Sequence, residues 1–253
     1  MAGVFISRGM TVAIPAGGLV LSLDESGKPT GSLTLHVHFD VCPTWFELAL
    51  RHLEDAKNRQ SARVAAWKTS DEDSKAATLE REFEASMQSI MASAIAVDAF
   101  YAVIQTKVKV PSTLITSWRK KRTPRYAQIS EVLRIAFMLK PKGTALLRKN
   151  LKEIYRFRDV AIHPSGKIDA PLLHPEIQVG VEWRFAYFRY ENALLIVRKA
   201  LRMLCELVTS GKPKNDEVKK YCETLRPRID PLQKSLSPAA QTTSTPIGAA
   251  SEA

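Results

Sequence analysis

"SIMASAIAVDAFYAVI", residues 89–104, carries one charged side chain, Asp98, inside an otherwise apolar and small-residue run. Its reading decides the fold. Phe83, Met87, Ile90, Met91, Ala94, Ile95, Val97, Phe100, Tyr101 and Ile104 form a broad apolar stripe at helical spacing. That spacing predicts a helix from Lys75 to about Gln105. The small residues suit a helix packed closely on a neighbour. Just before it, Ser70, Asp71 and Asp73 suit a helix cap, and the acids complement a helix N-terminus.

Helical patterning spreads outward from this segment. From Pro43, Trp45 or Phe46, Leu48, Ala49 and Leu53 repeat at helical spacing. Downstream, residues 126–139 read as a short helix on Ile129, Leu133, Ile135 or Ala136, and Leu139. "KPKGT" reads as a turn. Residues 145–162 form a helix with Leu147, Leu151, Ile154 and Ala161 inward, and Pro164, Ser165 and Gly166 end it. Residues 182–209 read as one long amphipathic helix, with a short helix near Asp216–Leu225 behind it.

Residues 11–40 alternate instead. Leu33, Leu35, Val37 and Phe39 face one way; Thr34, His36, His38 and Asp40 face the other. With "LVLSL" before and a Gly/Pro turn between, this predicts one β-hairpin. A hairpin alone is marginal, so it is expected to pack on the helices. The expected architecture is mainly α: a bundle of four or more helices (43–230, core about 75–209) with an N-terminal β-hairpin appendage (1–42). A disordered tail (231–253) lacks bulky apolar periodicity from about Ser235.

The 253 residues, 45% hydrophobic and 25% charged, suit a soluble globular chain. Three dispersed cysteines, Cys42, Cys205 and Cys222, have no metal spacing and favour a reducing, cytoplasmic setting. The longest uncharged N-terminal stretch is too short to span a bilayer, so no membrane association is expected. The net charge is +11, yet residues 107–158 alone hold 15 Lys/Arg against Glu131 and Glu153, a surplus of 13. Such a concentration favours a polyanion, RNA or DNA first.

"RFRDVAIHP", residues 156–164, closes the basic segment. Arg158 and His163 enclose four residues, and polar Asp159 follows the arginine. Arg156 with His163 gives a longer spacing, but apolar Phe157 follows it. With this motif at the end of a helix, a small-residue apolar helix before it and a long helix after it, the chain resembles the HEPN superfamily over roughly residues 75–209. That family's helical bundles are often found in RNA-cleaving toxins and defence proteins. The resemblance implies a metal-independent endoribonuclease that uses no cofactor. It would act as a homodimer whose two motifs pair across a cleft, with an antitoxin or regulatory protein as a possible further partner. "HPSGK" departs from the nucleotidylated toxins of the family, which carry a tyrosine two residues after the histidine.

The chemistry suits the residue types. Cleavage by the RNA's own 2′-hydroxyl needs a base, an acid and a cation for the crowded phosphorane. Histidine serves as acid or base; arginine forks onto phosphate oxygens. Five residues turn about 140° and rise about 7.5 Å along a helix, so Arg158 and His163 do not share a face within one chain. Asp159 and His163, four apart, do, so Asp159 is expected to join the site by orienting the imidazole or stabilising its charge. The alternative is a helix-capping His163 and a structural Arg158 in a non-catalytic module that binds nucleic acid or a protein partner through the basic 107–158 surface.

"WRKKRTPRY" is the best candidate for RNA contact: Arg119, Lys120, Lys121, Arg122 and Arg125 for phosphates, Trp118 and Tyr126 for bases. Its alternative is an exposed loop anchored by its aromatics. Asp98 is a second-tier site residue, as is Arg156. His36, His38 and Asp40 share a strand face but have no further ligand cluster, and no metal site is assigned. His52 and His174 show no neighbours that suggest chemistry.

Overall fold

Glu72–Lys107 is a single 36-residue helix, α2, around which the helical part of the chain is built. The structure is a computed structural model and describes residues 4–7, 9–69, 71–163 and 168–236. Asp71 caps α2 by accepting a hydrogen bond from the Ser74 amide at 2.9 Å, and Glu72 and Asp73 sit at the positive end of the helix dipole. By length and composition α2 would pass for a membrane span. Its apolar face is nonetheless core: Ile90, Val97, Phe100 and Ile104 are all but fully buried.

The chain divides into two compact units, Met1–Val41 and Cys42–Ala253. In the first, β1 (Met10–Ala13) pairs antiparallel with β4 (His36–Phe39), and β2 (Leu19–Leu23) with β3 (Pro29–Leu33). The Asp24 carboxylate accepts from the amides of Ser26 and Lys28, and Gly27 supplies the positive φ of the turn. The expected single hairpin is thus split into two ladders. The turn at Pro15–Gly18 interrupts the first strand, so its partner breaks opposite, at Thr34–Leu35. One bond, from the Thr34 amide to the Gly18 carbonyl at 2.7 Å, bridges the gap.

The second unit is a helical bundle, mainly α as the periodicity requires. α1 (Cys42–Thr69) runs antiparallel to α2. α3 (Ser112–Lys120), α4 (Arg125–Ala136), α5 (Pro141–Ile162), α6 (Trp183–Tyr187), α7 (Tyr190–Ser210) and α8 (Asp216–Ser235) follow, with a two-residue ladder of β5 (Leu172–Leu173) and β6 (Gly180–Val181) before α6. Buried Ala92, Ala94, Ala96, Ser89 and Ser93 let backbones approach α2 closely. Ser89 Oγ donates to the Ala49 carbonyl of α1 at 2.8 Å. Larger side chains fill the remaining space, among them Phe46, Ile129, Leu133, Leu151, Ile154, Phe188 and Leu204. Each such side chain gains roughly 1.5–3 kcal/mol from leaving water.

Three expectations are corrected. α5 begins at Pro141 and so absorbs the "KPKGT" turn, because proline at the first helical position loses no hydrogen bond it would have made. α8 runs through Pro227 and Pro231 to Ser235, so residues 231–235 are helix rather than tail. Its buried Val218, Tyr221, Cys222, Leu225 and Ile229 give it a packed face that outweighs the lost bonds. Residues 237–253, the rest of the expected tail, lie outside the described residues, as do Ser70 and Pro164–Gly166.

The third correction is the long helix of residues 182–209, which breaks at Phe188–Arg189 into α6 and α7. The cause is Glu82 of α2, a carboxylate that is 1% exposed. It accepts the Tyr190 amide at 3.1 Å, at the first turn of α7, and pairs with the fully buried Arg63 of α1. A carboxylate at a helix N-terminus satisfies a free amide and the dipole together. Phe188 then turns inward, 1% exposed, against Phe83 and Phe157.

Removing one partner of a buried ion pair strands the other charge, at a cost of about 3–5 kcal/mol. Glu82→Ala is therefore expected to lower unfolding stability by about that amount in urea titrations. Arg59→Ala, which breaks the half-exposed Arg59–Asp55 pair, should cost under about 1 kcal/mol. Equal effects of the two changes would remove Glu82 from this role.

Candidate functional site

Asp98, the lone acid of the apolar run, lies on the side of α2 that meets α4 and α5. Its Oδ2 receives Nη1 of Arg158 at 3.2 Å, and its Oδ1 receives Nε of Arg125 at 3.0 Å. One carboxylate thus joins the motif arginine of α5 to an arginine of the basic segment. Each guanidinium also lies over a tyrosine: Arg158 is 4.9 Å from the Tyr155 ring centre, and Arg125 is 4.4 Å from that of Tyr101. Burial, reinforced by Asp98, holds the Tyr155 phenol well above the usual phenol range, and burial also raises that of Tyr101. Both rings therefore stay neutral and act as platforms.

Asp159 Oδ1 lies 3.3 Å from Arg158 Nε, so the carboxylate expected to orient His163 serves the arginine. What reaches His163 from Asp159 is its carbonyl, which accepts the His163 amide at 3.0 Å. His163 caps α5 at φ −120° and is exposed. Its imidazole has no hydrogen bond or ion pair among the described residues. α5 is continuous through Ile162, so Arg158 faces Asp98 while His163 stands beyond the helix end. Arg156 leaves the opposite side of α5, 5.3 Å from the Tyr187 ring centre, and does not join the Asp98 cluster.

The basic run forms the α3–α4 connection. The Thr123 amide donates to the Trp118 carbonyl at 2.9 Å and the Arg122 amide to that of Arg119 at 3.3 Å. These are the paired bonds of a Schellman motif, and Pro124 after them starts α4. The left-handed residue such a turn requires, usually glycine, is here Arg122 at φ +48°. That conformation costs an L-residue roughly 1–2 kcal/mol. Trp118 and Tyr126 both pack on the core. Trp118 also lines a cleft of about 500 Å³ between α2, α3 and α4, together with Arg119, Arg122 and Arg125. Lys120, Lys121 and Tyr126 lie outside it.

In the first unit His36 and His38 stand exposed on β4, opposite Ala13 and Thr11. Among the described residues no three His, Cys, Asp or Glu side chains gather as a metal ion would need. Cys205 and Cys222 are buried thiols pushed up to about 11, chiefly by burial, which makes them poor nucleophiles at neutral pH.

A second polar cluster, unread in the sequence, ties the segment after His163 to the bundle. Arg63 of α1 pairs with Glu176, which also receives Arg189 Nη1 at 2.7 Å. Gln60 bonds both Glu176 and Glu191. His174, fully buried, accepts the Glu176 amide on Nδ1 at 3.3 Å. Nothing along the chain pointed to this cluster, because no spacing rule joins residues over a hundred apart.

Compared with protein-family models, curated proteins and solved structures, the chain matches none.

Burial first, then Arg63, lowers the His174 pKa below its ordinary 6.5. The unfolded state then takes up a proton that the folded state refuses, so stability falls as pH drops below about 6.5. Burial alone would raise Glu176, but its bonds to Arg63 and Arg189 outweigh that and lower it from 4.5 to about 2. A second loss of stability therefore comes as pH falls from 4.5 towards 2. His174→Asn, which keeps an acceptor near Nδ1, should flatten the first stage and spare the second. Urea midpoints measured from about pH 7.5 down to about pH 2 check both stages.

Proposed function

We propose that the chain is a metal-independent endoribonuclease of HEPN type, working as a homodimer in a toxin, stress or phage-defence role. The observation that supports this reading best is the shared carboxylate. Asp98 binds Arg158 of the motif and Arg125 of the basic run at 3.2 and 3.0 Å, which puts the two RNA-directed features side by side.

Chemically, His163 removes the 2′-hydroxyl proton or supplies one to the leaving 5′-oxygen, and exposure at the end of α5 gives it access to a strand. Arg158 offers its guanidinium to the phosphorane oxygens once a phosphate competes with Asp98 for it. The tyrosine under it limits the directions it can take. Because Arg158 and His163 diverge within one chain, a complete set of base, acid and cation requires the motif of a second subunit. An antitoxin or regulatory protein would act by covering that cleft.

A second reading is a non-catalytic RNA-binding module. It is favoured by the engagement of Arg158 with Asp98, Asp159 and the Tyr155 ring. Total RNA incubated with the purified protein in EDTA separates the two. The nuclease reading expects cleavage that falls at least about 100-fold in His163→Ala and in Arg158→Ala, with the fold unchanged by circular dichroism and a dimer mass by light scattering. RNA that is retained but never cut, or cut equally well by His163→Ala, sinks the nuclease reading.

A further inference from the structure

The cleft between α2, α3 and α4 carries cations, an aromatic face and a suitable volume together, and we infer that it seats one unstacked nucleotide of a single-stranded RNA. This rests on the reading of RNA as the ligand and adds the place and form in which the strand is held.

Charge is the first ground. Arg119, Arg122 and Arg125 line the cleft and no carboxylate does. Arg125 is paired with Asp98. Arg119 and Arg122 have no ion pair among the described residues, so the cleft keeps two uncompensated positive charges. Guanidinium pairs of this kind fork onto phosphate oxygens.

Shape and surface are the second. About 500 Å³ lies within the range of small-molecule sites and suits one nucleotide rather than a duplex. Trp118 offers a half-buried indole held by the core on its other side. Bases stack on such faces whatever their sequence. The Gln105 amide at the rim has both donor and acceptor for a base edge. A base enters only if it is splayed from its neighbours, which a single strand permits and an A-form helix does not.

Strain is the third. The Schellman turn needs a left-handed residue, and Arg122 occupies it where glycine would sit without cost. The turn gains nothing locally from arginine; a phosphate in the cleft would. Arg125 then links the seat to the motif, since its partner Asp98 also holds Arg158. A strand with one nucleotide in the cleft passes beside the arginine assigned to cleavage.

The test uses a short fluorescein-labelled 2′-O-methyl RNA, which lacks the attacking hydroxyl. Binding is thereby read without cleavage, and its outcome stands apart from whether Arg158 and His163 cut RNA. Fluorescence anisotropy should show binding to the full-length protein, weaker for the same sequence as a duplex. Arg122→Gly should raise the melting temperature, by relieving the turn, yet weaken binding about tenfold and reduce the salt slope by about one. Arg119→Gln should weaken binding likewise. RNA should quench tryptophan emission in the native protein but much less in Trp118→Phe. The proposal is overturned if the native protein does not bind the RNA, if duplex binds as tightly as single strand, if both arginine variants keep native affinity and salt slope, or if the quench survives in Trp118→Phe.

Discussion

The buried Glu82 carboxylate ties three helices of the bundle together. It is 1% exposed and holds the fully buried Arg63 of α1 and the first amide of α7 at once. A buried carboxylate is tolerated only where its charge is met, so α1, α2 and α7 must converge there. That convergence causes the break before α7, the inward turn of Phe188 and the docking of the 174–176 segment through Arg63 and Glu176. That segment comes shortly after His163 in the chain, so the same network limits where the chain can go once α5 ends.

Asp98 repeats this logic nearer the surface. Its side chain is 25% exposed, and the two arginines on it are 22% and 42% exposed. Pairs at that depth contribute little to stability, up to about 1 kcal/mol each. Their value is positional. Asp98 fixes the direction of Arg158 and Arg125, with Tyr155 and Tyr101 beneath them, at modest energetic cost to move. A binding group that a phosphate can take from its resting partner needs this partly solvated setting rather than the sealed one around Glu82. Glu82 and Asp98 thus divide the labour: one settles the fold, the other organises the surface proposed to meet RNA.

Much of the bundle was legible along the chain. The stripe through Ile90, Val97, Phe100 and Ile104 repeats every three to four residues, and a backbone with 3.6 residues per turn makes that pattern a face. The alternation of residues 11–40 predicts one hairpin, and four short strands form there in two ladders; the split at Thr34–Leu35 depended on a turn in the facing strand. The site was legible only in part. Asp98 stood out as an acid among apolar neighbours, and Arg158 and His163 as a motif. Tyr155 carried no signal along the chain, His174 had no neighbours that suggest chemistry, and nothing in "WRKKRTPRY" separated the arginines that line the cleft from the lysines that do not.

The sequence by itself determined the helical periods, the packed small-residue helix, the basic segment and the position of the Arg158–His163 motif. All of these are local: they depend on residues within a few turns of one another. Tertiary structure decided which polar groups meet. Asp98 reaches across 60 residues to Arg158, and Glu82 across 108 to Tyr190. It also decided that α8 continues through two prolines and that α7 does not continue from α6. In each case burial of an apolar face or of a charge in a shared core outweighed the local preference of the backbone, because a packed side chain or a stranded charge is worth more than one helical hydrogen bond.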